Sequence, residues 1–132
     1  GWDNIIENKA SKYTDKMFVI TVDDGRKDKA QGKFMRCPHP TVHKEWVRTL
    51  GYFVPPFFMH RYLDKYTQNL AIKINRFIEI KEVVFNHLKF NYSKDATGQR
   101  SRSWINYDQY MYEKVSGRYF EKDLALLKNN IL

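Results

Sequence analysis

The stretch LGYFVPPFFMHRYLDKYTQNL, residues 50–70, decides how this chain is read. Leu50-Gly51 has the form of a helix stop, with glycine where a left-handed C′ residue belongs. Pro55-Pro56 then forces residues 52–59 out of any helix. Beyond the loop, Leu63, Tyr66, Leu70 and Ile74 recur at near-helical spacing and predict a helix over residues 60–76. Such a helix would open with His60 and carry Asp64 one turn later on the same face. A histidine and a carboxylate in that relation can move protons, bind a metal or form a surface ion pair. Their position behind a loop joined to a rigid helix favours a site, because sites gather there.

Working outward, PHPTVHKEWVRTLG upstream predicts a helix capped by Thr41, with Val42, Trp46 and Leu50 on one face and His43 turned outward. Residues 2–13 read as a short amphipathic helix with Asp3 as N-cap and Ile5, Ile6, Ala10 and Tyr13 as its apolar stripe. A β run over residues 17–22 ends at Asp23-Asp24-Gly25, which is turn chemistry and also a common address for metal-binding carboxylates. Residues 26–36 carry five basic side chains against Asp28 alone, with a second extended piece at residues 33–37.

Downstream, residues 77–80 and 83–88 alternate as two short strands, and His87 shares a face with Val83 and Phe85. Residues 93–103 have the composition of a mobile loop. Residues 104–132 form a C-terminal helical segment, with helices expected at 107–115 and 121–127. The fold class implied is α/β, a mixed sheet with flanking helices in one domain over residues 1–132. No glycine-rich phosphate loop is present.

The 132 residues are 42% hydrophobic and 29% charged, which places the chain among globular proteins. Aromatic residues make up 16%, enough either to fill a core or to line a surface that grips flat ligands. A formal charge of +8 favours anionic partners such as nucleic acid, phosphorylated ligands or an anionic membrane surface. Cys37 is the single cysteine, which excludes an internal disulfide and reads as a reduced thiol. It has no neighbours at zinc spacing. No apolar run approaches a membrane span and no signal peptide opens the chain, so a cytoplasmic protein is expected.

Taken in order, GWDNIIE, VDDG, HPTVHKEWVRTLGYFVPPFFMHRYLDKYTQNLAIKINR and VVFNHLKF resemble the C-terminal, acceptor-side half of GT-A-fold, family 2-like glycosyltransferases, of the type found in phage and environmental sequences. The resemblance covers residues 2–90 and is most specific over residues 46–87. It implies that Asp64 is the general base acting on an acceptor hydroxyl, although the family's Glu-Asp pair is here Leu63-Asp64. It implies that His87 completes a divalent metal site, Mn or Mg, in the complete enzyme. Tyr52, Phe57, His60, Arg61 and Arg26 are the substrate-binding residues it suggests, with Phe53 and Phe58 also available to stack on sugar faces. The implied partners are a nucleotide-sugar donor and a hydroxyl acceptor.

The family's Asp-x-Asp stands just ahead of a segment like GWDNII, so the nucleotide-binding half is expected to lie outside this chain, which alone would lack activity. A sheet edge left open by that missing half invites a second copy of the chain. Two other classes compete. Aromatic and basic residues interleave in RSRSWINYDQYMYEK as in single-strand nucleic-acid binders, though nucleic acid is the weaker expectation. A non-catalytic interaction domain with the family's shape is the other.

Overall fold

Strand β1, Val19–Asp23, is the centre of the computed structural model, which describes residues 1–25, 37–86 and 96–131. The two-residue β2, Thr41–Val42, pairs antiparallel with it on one side. On the other side β3, Phe77–Val84, pairs parallel, giving the order β2-β1-β3. A strand covered on both faces needs consecutive apolar residues rather than alternate ones, and the run Met17, Phe18, Val19, Ile20 supplies them. Because successive side chains point to opposite faces, Met17 and Val19 enter a core built around Trp46, Tyr66 and Leu70. Phe18, Ile20 and Val22 instead join Ile78, Ile80 and Val83 on the other face. Helix α1, Trp2–Ala10, lays Ile5, Ile6 and Ala10 over that second cluster.

Parallel pairing requires a crossover connection. Here it contains α2, Lys44–Leu50, and α3, Leu63–Lys73, joined by the Pro loop. Both helices pack on the first cluster, where α2 buries Trp46 and α3 buries Tyr66, Leu70 and Ala71. The C-terminal segment adds α4, Ala96–Ser103, α5, Ile105–Tyr110, a π-helical turn over Met111–Val115, and α6, Ser116–Lys128. Leu124 and Leu127 of α6 complete the same core. The architecture is the mixed α/β arrangement expected, a three-stranded mixed sheet with flanking helices.

Several boundaries differ from the sequence expectation, each for a physical reason. Helix α1 stops at Ala10 and takes Gly1 as N-cap, which places Asp3 inside the first turn, where the helix dipole favours a negative charge. Thr41 is drawn into β2 by pairing with Ile20, so the cap of α2 falls to His43. Its Nδ1 accepts a hydrogen bond of 3.2 Å from the Glu45 backbone N–H. Gly51 terminates α2 as expected, at φ 82°.

The break between residues 80 and 83 is an irregularity within one strand rather than a gap between two. Val22 faces Ile80, the next residue Asp23 faces Val84, and Lys81 and Glu82 are exposed at the slip. Residues 96–103 form α4 in place of the expected loop; Ser101 turns inward and the helix packs on α5, so tertiary contact outweighs loop-like composition. The Asp23-Asp24-Gly25 stretch is a turn in which Asp23 Oδ1 accepts from the Gly25 N–H at 2.9 Å. Gly25 sits at φ 69°, and a Cβ there would collide with Asn86. The basic loop, with Arg26, and most of the extended piece at 33–37 lie outside the described residues.

Cys37 lies in the first core cluster, 2% exposed. Burial pushes its thiol up to about 12; a hydrogen bond with Thr21 opposes the shift and the nearby Asp64 carboxylate adds to it. The fold therefore favours the neutral thiol. As pH rises past the ordinary thiol value, the unfolded chain ionises first and the fold loses stability through this residue. Because the thiolate is the reactive species, alkylation of native Cys37 by iodoacetamide at pH 8 is expected to run at least about a hundredfold slower than in denaturant. Equal rates in the two conditions contradict the burial.

Candidate functional site

The Pro loop and the start of α3 wall one side of a cleft of about 380 Å³, and residues 38–41 wall the other. That volume lies within the ~300–1,000 Å³ typical of small-molecule sites. Asp64 and Thr67 of α3 line it, together with His39 and Thr41 across the gap and Phe53 and Val54 at the loop. Phe53 is 46% exposed, so the cleft carries an aromatic face open to solvent. Asp64 is half-buried in the first turn of α3, and its Oδ1 accepts from the Lys65 backbone N–H at 2.8 Å. Among the described residues its other oxygen has no hydrogen-bond partner. A half-buried carboxylate that lines a cleft, with hydroxyl and imidazole groups among the other lining residues, can accept a proton from a bound hydroxyl.

The geometry of Asp64 depends on how α3 begins. The helix starts at Leu63, three residues later than its periodicity suggests, because Tyr62 is held at φ 70°. A left-handed conformation in a tyrosine costs on the order of 1–2 kcal/mol and needs outside support. The support is Asp108, on α5 and fully buried. Its Oδ1 accepts from the Met59 N–H at 2.7 Å, and its Oδ2 accepts from the N–H groups of His60 and Arg61 at 2.9 and 2.7 Å. Three consecutive backbone donors, none yet in the helix ladder, are thus taken up by one carboxylate. Tyr62 then stacks on Tyr112 at 4.6 Å between ring centroids, and the Lys65 ammonium lies 4.6 Å from the Tyr112 ring centroid.

A second buried carboxylate fixes the other end of the loop. Asp123 Oδ2, on α6, accepts from the hydroxyls of Tyr52 and Tyr66, the latter at 2.8 Å. Burial and the bond to Asp123 hold both phenols well above the ordinary tyrosine range, so each stays a donor. Between these two anchors Phe57 and Phe58 turn inward. Phe57 stacks on Tyr119 at 4.6 Å and meets Tyr66 edge-on at 5.3 Å, while Phe58 packs against Tyr66 and Tyr112.

The expected site residues therefore separate. Asp64 stands in the cleft. His60 is exposed in the loop, outside α3, so the helical face it was expected to share with Asp64 does not exist. Arg61 is also exposed in that loop. The stacking role expected of Phe57 and Phe58 gives way to packing, and Tyr52 is tied to Asp123; Phe53 alone of the loop phenylalanines presents an open face. His87 and Arg26 lie outside the described residues. Among the described residues, no three His, Cys, Asp or Glu side chains are grouped as a metal ion requires. Sequence pattern alone did not point to His39 or to either carboxylate anchor.

Comparison with protein-family models, with curated proteins and with solved structures gives no match. The loop geometry has a direct consequence for stability. Replacing Asp108 by Asn puts an amide donor among backbone donors and removes the charge that satisfies them. The Asp108→Asn protein is expected to lose about 3 kcal/mol or more in denaturant unfolding; a loss below ~0.5 kcal/mol, the level of an ordinary surface change, contradicts the anchoring role.

Proposed function

We propose that the chain is the acceptor-side part of a glycosyltransferase, transferring a sugar from a nucleotide-sugar donor to a hydroxyl, with Asp64 as general base. The observation that carries the reading is that Asp64, the position matching the family's acidic residue, is half-buried on the wall of a cleft with an exposed aromatic ring beside it. An acceptor sugar would lie with its apolar face on Phe53 and its attacking hydroxyl toward the Asp64 oxygen that has no partner among the described residues. The carboxylate takes the hydroxyl proton as the new glycosidic bond forms, which raises the nucleophilicity of the oxygen when the donor's anomeric carbon becomes electron-poor.

Thr67 and Thr41 offer hydroxyls that could orient neighbouring sugar hydroxyls, and His39 can serve as donor or acceptor at the opposite wall. Anchoring of the loop at Asp108 and Asp123 keeps this acceptor surface in place before the substrate arrives, which lowers the entropic barrier to reaction. On this reading the departing diphosphate would be held by the nucleotide-binding half typical of the family. A divalent ion would supply charge neutralisation to that leaving group; the described residues do not assemble a site for one.

The test uses the complete enzyme, with release of nucleoside diphosphate from a panel of nucleotide-sugars as the readout. Asp64→Asn is expected to lower turnover by about 10²–10⁴-fold, the usual contribution of a positioned base. The melting temperature should hardly change, because the Lys65 N–H keeps an oxygen acceptor. Near-normal turnover in a folded variant would falsify the assignment of Asp64.

A further inference from the structure

The interleaved aromatic and basic residues near residue 100 take no part in the cleft, and the structure gives them a shared direction. Helices α4 and α5 run almost continuously, with the Asp108 N–H bonded to the Trp104 carbonyl at 2.9 Å. Ser101 and Asp108 face the protein and are buried, and Tyr112 is half-buried behind them. On the outer flank Arg100, Trp104, Tyr107, Tyr110 and Lys114 recur at spacings of four, three, three and four, so they form one stripe along the helix surface. All five are exposed, Tyr110 at 59% and Trp104 at 39%. Trp104 and Tyr107 meet edge to face at 6.0 Å.

Of the acidic groups on these helices, Asp108 is turned inward on three backbone donors, while Glu113 is exposed and accepts from the Gln109 amide at 2.9 Å. The stripe itself carries a tryptophan and two tyrosines in its middle and a cation at each end.

We propose that this α4–α5 stripe seats the protein on an anionic membrane surface, with its rings at the headgroup level and Arg100 and Lys114 against lipid phosphates. Trp and Tyr favour that interface because each has an apolar body and a polar edge. Flanking cations add attraction to anionic lipid. A single nucleic-acid strand would instead call for a basic groove that tracks its backbone alongside the stacked rings. Here the stripe lies on one convex helix surface, with its cations at the two ends. The inference is independent of the glycosyl-transfer reading, and an Asp64→Asn protein is expected to bind membranes as the unaltered chain does.

The test is sedimentation of the full chain with vesicles of phosphatidylcholine alone and of phosphatidylcholine mixed with phosphatidylglycerol. Partition is expected onto the anionic vesicles only, weakening as salt is added. Two double variants, Trp104→Ala with Tyr107→Ala and Arg100→Glu with Lys114→Glu, are each expected to lower partition by about tenfold or more. Because all four side chains are exposed, circular dichroism melts of both variants should match the parent. The proposal is overturned by absence of partition, by equal partition onto both vesicle types, or by full partition of both variants. Binding to a single-stranded oligonucleotide that anionic vesicles fail to displace also overturns it, in favour of a nucleic-acid partner.

Discussion

One buried carboxylate, Asp108, governs how the cleft is built. The Pro loop leaves α2 at Gly51 and must deliver the chain to α3 with its first turn facing residues 38–41. Pro55 and Pro56 prevent the loop from satisfying its own backbone by local helix, and the N–H groups of Met59, His60 and Arg61 precede the hydrogen-bond ladder of α3. Buried donors without acceptors are costly. Asp108 supplies two oxygens to three of them at 2.7–2.9 Å, and this charge-assisted contact allows Tyr62 to stay left-handed and α3 to begin at Leu63. Asp64 then falls in the first turn, beside the cleft.

Asp123 repeats the logic in a different chemical form. It takes up hydroxyls rather than backbone amides, binding Tyr52 at the beginning of the loop and Tyr66 in α3. Tyr66 and Phe57, Phe58, Tyr112, Tyr119 and Phe120 form a continuous aromatic layer between α3 and α6. This explains much of the chain's high aromatic content: most of these rings pack against one another and do not face a ligand. The C-terminal helices thus act on the cleft at a distance, by holding the loop and α3 from behind.

How much of this could be read in the sequence depended on whether the signal was local. The double-sided burial of β1, the glycine stop of α2 and the helical character of α3 follow from short-range pattern. The cap of α2 and the start of α3 were misplaced because strand pairing at Thr41 and the Asp108 contact are long-range. Nothing in INYDQY distinguishes Asp108 from a solvated helix residue; its meaning appears only when three amides separated from it by about fifty positions are brought to it. The slip in β3 was visible as two exposed charges, Lys81 and Glu82, but a bulge and a strand break leave the same trace. Asp64 was singled out by the motifs around it and lines the cleft, whereas His39, which lines the same cleft, carried no such signal, since β2 must first bring its segment there.

The central claim is that Asp108 makes the loop before α3 a fixed part of the structure. Native-state hydrogen exchange of the Met59, His60 and Arg61 amides tests it most directly, because these groups belong to no helix or strand and would otherwise exchange as loop amides do. Protection of all three comparable to that of the α3 interior, at Leu70 and Ala71, is the predicted result. Exchange at the rate of an open loop, with α3 still protected, would contradict the account and leave the position of Asp64 without its support.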